Sequence, residues 1–120
     1  MEVNKYYSYF PQIKENFVLI DFFYFMSKND FVKVIGYISE RTGYSDGIKG
    51  IFFSNSFEIW DEEYFESGVM VYVNEKEVIV DNKVFQNYLR IAIDLFLDRY
   101  DGDKNTIRVL GEKISKMSFD

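Results

Sequence analysis

The run FVLIDFFYFM, residues 17 to 26, narrows the folds open to this chain more than any other stretch. From Pro11 to Met26 apolar residues recur at Ile13, Phe17, Ile20 and Tyr24, with a second row at Val18, Phe22 and Phe25. That spacing predicts a helix apolar on nearly every side, which the rest of the chain has to bury. A membrane-spanning helix needs roughly 20 apolar residues. This segment is shorter and is interrupted by Asp21, so it reads as a buried helix and not as an anchor. Asp21 itself is expected at a helix edge or against a basic side chain.

The remaining elements follow from period and punctuation. Asn29 or Asp30 is placed to cap a second helix with Phe31, Val34, Ile35 and Ile38 on its apolar side, ending near RTGYSDG (41–47). IKGIFF (48–53) reads as a strand, and FEIW (57–60) alternates like a short strand or edge segment. VMVYV (69–73) and VIV (78–80) form a hairpin through the polar connection NEKE (74–77). Asp81 or Asn82 caps a long helix over 83–100, with Lys83, Asn87, Arg90, Asp94 and Asp98 on one stripe. Ile107, Leu110, Ile114 and Met117 mark a last helix. Strands gathered between helices predict an α+β fold: a small antiparallel sheet packed by two N-terminal and two C-terminal helices. At 120 residues, with no repeat or linker, residues 1–120 form one domain.

Composition removes much chemistry. There is no cysteine and no histidine, so disulfides, thiolate catalysis, the common zinc sites and Ser-His-Asp triads are closed to the chain. The start, MEVNKYYSYF, lacks the basic and then apolar pattern of an export signal, which points to the cytoplasm. No glycine-rich phosphate cradle occurs, and no cofactor is expected.

Charge is concentrated in one place. Residues 58–81 hold eight acids and one base, Lys76, whereas residues 1–57 balance at six acids and six bases. Within EIWDEEYFESG (58–68), five carboxylates surround Trp60, Tyr64 and Phe65. Consecutive acids point in several directions, which suits a metal or an acid/base pair poorly. Two readings remain: a solvated loop with Trp60, Tyr64 and Phe65 tucked into the core, or a surface that steers and docks a cationic protein. Such a surface repels phosphate backbones, so direct nucleic-acid binding is disfavoured. DGDKNTIRVLGE (101–112) fits four side-chain positions of a calcium loop. However, Thr106 stands where glycine is needed and Arg108 where an apolar residue is, and helical spacing runs through it. No metal site is expected there.

The chain resembles the ribonuclease-toxin immunity proteins of bacterial contact-dependent growth inhibition systems, the CdiI type. The likeness begins at IDFFYFM (20–26) and passes through RTGYSDG and the IFF strand. It is clearest over 62–100, in an acidic-aromatic loop, Gly68 with Val69, Glu77 to Val80, then Phe85 with Tyr88 and Leu89. Ile93 or a neighbour stands where the family often has a cysteine. The resemblance implies a cytoplasmic antidote, monomeric or weakly dimeric and not an enzyme. It would bind the nuclease domain of a cognate toxin, a basic protein. On that reading Asp61, Glu62, Glu63 and Glu66 face the toxin, with Trp60 and Tyr64 as anchors. The second helix, the Gly43 to Gly50 loop, and the polar stripe with Asp94 and Asp98 are the other candidate surfaces. The rivals from other classes are an adaptor of another toxin or secretion system and a small carboxylate- or metal-dependent enzyme.

Overall fold

The computed structural model describes residues 2–120. In chain order the elements are α1 (Val3–Ser8), α2 (Phe17–Tyr24), α3 (Lys28–Ser39), β1 (Tyr44–Ser45), β2 (Lys49–Phe53), β3 (Val69–Val73), β4 (Lys76–Val80), α4 (Asn82–Arg99) and α5 (Lys104–Ser115). The four strands form one antiparallel meander in the order β1-β2-β3-β4. The molecule is an α+β domain with helices on one face of that sheet.

Helix α2 is the hub. Val18, Leu19, Ile20, Phe22 and Phe23 are all buried, as a helix apolar on every side requires. It lies against β3 and β4, while α1, α3 and α4 close around the remainder. The helix is shorter than its pattern suggests. Ile13 and Phe25 are exposed, and a 3-10 turn over Lys14–Asn16 leads into it. Among the described residues Asp21 pairs with no base; its carboxylate accepts a hydrogen bond from the Tyr7 hydroxyl on α1. Burial, reinforced by that bond and the carboxylate charge, pushes the Tyr7 pKa up, so the phenol stays a donor. Helix α1 gave no recognisable signal in the sequence: it is six residues long and has no side-chain cap.

The register sorts the strand residues by face. Ile51, Phe53, Val69, Val71 and Val80 point into the core. Gly50, Phe52, Met70, Tyr72, Glu77 and Ile79 point to the opposite face, which none of the helices among the described residues covers. Gly50 is needed there because a Cβ would lie 2.4 Å from the Tyr72 ring. The RTGYSDG segment holds more than a turn: Tyr44 and Ser45 form β1 and pair with Ile51 and Gly50. The hairpin connection is tighter than NEKE, since Lys76 and Glu77 already belong to β4 and only Asn74 and Glu75 turn the chain.

Caps and ends complete the frame. Asp81 caps α4 by accepting the Val84 N–H at 2.9 Å. Ser27, not Asn29 or Asp30, caps α3, taking the Asp30 N–H at 3.1 Å. The segment after α5 folds back into the sheet. Phe119 is fully buried, 5.2 Å from the Phe53 and Phe85 rings, with the Arg41 guanidinium over it at 5.8 Å. Residues 104–115 are continuous helix, so the calcium-loop pattern is occupied by α5 from its fourth position onward and cannot wrap a cation.

Candidate functional site

The acidic stretch is a loop between β2 and β3, and its shape comes from two successive turns. The Asp61 carboxylate accepts the Glu58 N–H at 2.9 Å, and the Glu58 carbonyl takes the Asp61 N–H at 2.9 Å. Tyr64 then donates its N–H to the Asp61 carbonyl at 3.1 Å. FEIW is therefore not a strand: among the described residues it has no strand partner, and the Asp61 side chain ties its backbone into a turn. The loop is pinned onto the helix-free face of the sheet by Phe57, whose ring lies 5.3 Å from Phe52 and 6.2 Å from the buried Phe65. Its root at Gly68 takes φ +89, where a Cβ would fall 2.4 Å from the Val80 carbonyl oxygen. The Gly68 N–H donates to the Phe119 carbonyl at 2.7 Å.

This geometry separates the named residues. Glu62, Glu63 and Glu66 are exposed, Asp61 and Tyr64 are half-buried, and only Phe65 is sunk in the fold. Trp60 is not tucked into the core but 77% exposed, next to Ile59 at 73%. An exposed tryptophan and isoleucine side by side are unusual on a free surface and are the kind of groups that anchor interfaces. Sequence reasoning missed Ile59 altogether; its place beside Trp60 in an alternating run disguised it as strand.

Electrostatics single out the same loop. Among the described residues the ion pairs are Lys28 with Asp103, Lys49 with Asp46, Arg90 with Asp94, Lys104 with Asp101, Lys113 with Glu40 and Lys116 with Glu112. None reaches Glu58, Asp61, Glu62, Glu63, Glu66, Glu75 or Glu77. The alternative surfaces are partly compensated: Asp94 by Arg90 at 3.5 Å, Glu40 at the end of α3 by Lys113 at 3.1 Å, and Asp46 in the Gly43 to Gly50 loop by Lys49 at 2.8 Å, while Asp98 has no ion pair among the described residues. Asp46 also receives the Ile48 and Lys49 N–H groups. The Lys49 ammonium, with its backbone N–H, holds the Asp46 pKa down to about 2.

Glu62, Glu63 and Glu66 are exposed while the Asp61 carboxylate turns back onto the Glu58 N–H, and among the described residues no group of three or more metal-binding side chains converges. Also among the described residues, no helix is long and apolar enough to cross a membrane.

Comparison with known proteins adds the family. No curated protein matches the chain significantly. A family model described as CDI immunity protein matches residues 14–110, from the 3-10 turn ahead of α2 through the sheet and acidic loop to the middle of α5. With most of its length in that match, the chain belongs to the CDI immunity protein family.

Proposed function

We propose that this immunity protein works in the bacterial cytoplasm by binding the ribonuclease domain of its cognate toxin and covering the RNA-cleaving site with the acidic loop. Asp61, Glu62, Glu63 and Glu66 stand in for RNA phosphates, and Trp60 and Tyr64 supply the anchors. The observation that carries this reading is the set of unpaired carboxylates around an exposed Trp60, on the face of the sheet that no helix covers. A ribonuclease is basic where it grips phosphate, so carboxylates presented there gain affinity without offering a bond to cleave.

The test is association with the neighbouring toxin domain, followed by RNA cleavage with and without the immunity protein. Replacing Asp61, Glu62, Glu63 and Glu66 together by Ala should weaken the complex and flatten its salt dependence. Loss of a charge that becomes buried against a partner costs about 2 to 5 kcal/mol, while a rim charge mainly slows association. Unchanged affinity in the quadruple variant would reject this surface. A toxin domain that cleaves no RNA would reject the ribonuclease assignment.

A further inference from the structure

β4 is the outer strand of the sheet, and the direction of its backbone groups is fixed by two registers that agree. The two-residue turn makes Val73 and Lys76 a hydrogen-bonded pair, as are Val71 with Val78 and Val69 with Val80, leaving Glu77 and Ile79 in the alternate positions. On the other side of β3, Asn74 donates its N–H to the Ile48 carbonyl at 2.7 Å. Tyr72 and Met70 therefore turn their backbone groups toward β2 and leave Val69, Val71 and Val73 for β4. The N–H and C=O groups of Glu77 and Ile79 face away from the sheet, and among the described residues they have no partner.

Free edges are normally kept short, bulged or covered, because they template pairing with another chain. The opposite edge, β1, is only two residues long. β4 runs five residues with regular pairing, and Ile79 is 52% exposed on the acidic-loop side of the sheet. Charge decides what fits. A second copy pairing along β4 would set two of the strongly acidic 58–81 segments side by side, a repulsive arrangement.

We infer that β4 is a docking edge for an extended cationic segment of the toxin domain, which adds to the sheet as a fifth strand. This rests on the reading that the toxin domain is the partner. The incoming strand gains backbone hydrogen bonds from Glu77 and Ile79, and its alternate side chains choose its identity: a basic residue beside Glu77 and an apolar one beside Ile79.

Amide hydrogen exchange on the full chain, free and bound to the toxin domain, reads this out. In the free protein the Glu77 and Ile79 amides should exchange quickly and those of Val78 and Val80 slowly. In the complex, Glu77 and Ile79 should slow by at least about tenfold, the factor expected from one added hydrogen bond. A complex in which these two amides remain fast overturns the edge while leaving the acidic-loop reading intact. Protection of both amides with full affinity in the quadruple alanine variant does the reverse. Protection in the free protein that rises with its concentration assigns the edge to a second copy and overturns the inference; failure to form any complex overturns both readings. Ile79→Pro removes one outward donor at an edge position that tolerates proline, and it should weaken binding about tenfold with the circular dichroism spectrum unchanged. Unchanged affinity in that variant counts against the edge.

Discussion

Phe119 shows how much one residue near the end of the described chain contributes. It fills the space between Phe53 on β2 and Phe85 on α4 under the Arg41 guanidinium. Phe119→Ala should cost about 3 to 5 kcal/mol in denaturant unfolding, the usual loss for a buried aromatic truncated to a methyl group. A loss under about 1 kcal/mol would mean that the segment is not packed as described. Asp46 supports a different measurement. Its folded pKa of about 2 lies below the ordinary value of 3.8, so its pairing stabilises the fold fully above the ordinary value and is withdrawn as pH falls toward 2. Asp46→Asn keeps the local turn but not the charge. It should lower the melting temperature at pH 7, and the gap from the parent should close near pH 2. Sequence reasoning found neither residue: Phe119 depends on a fold-back of the tail over the sheet that leaves no local pattern, whereas the Asp46 to Lys49 contact is local, three residues apart, but was hidden inside a stretch read only as a turn.

Elements were legible where period and caps coincided. Asp81 was one of two caps read for α4, and it is the one used. Asp81→Ala should lower stability by about 1 kcal/mol, measurable by thermal unfolding, whereas Asp98→Ala on the exposed face of the same helix should be nearly silent. For α3, Asn29 and Asp30 both suit the capping role by residue type, but Ser27 is the cap since its hydroxyl reaches the Asp30 N–H from an extended backbone. FEIW failed for another reason. Alternation predicts a strand only where one face is buried and a neighbour offers a ladder, and Ile59 and Trp60 have neither. The acids of the candidate site could be read directly from the sequence. Which aromatics stay in water was set by the Asp61 turn and could not be.

At the scale of the whole molecule the fold polarises charge. Among the described residues, helix-side acids such as Asp94, Glu112 and Glu40 pair with Arg90, Lys116 and Lys113, the first two within a turn on the same helix, while the loop carboxylates of Glu58, Asp61, Glu62, Glu63 and Glu66 have no ion-pair partner. Association with a basic partner should therefore be fast at low salt and slow steeply as ionic strength rises, because the Debye length shrinks to about 8 Å near physiological salt. Stopped-flow rates across a salt series check this. The quadruple alanine variant should lose most of the slope, and Asp94→Asn with Asp98→Asn should keep it. Equal slopes in all three proteins would place the steering field elsewhere.

The bond from the Gly68 amide to the Phe119 carbonyl moors the downstream root of the charged loop to the last residues described. Slack introduced there should travel to the tip that carries Trp60, distant though it is along the chain. A bulky fusion attached after Asp120 risks prying that mooring loose and mimicking a recognition defect, so affinity handles belong at the opposite terminus whenever complexes are to be weighed.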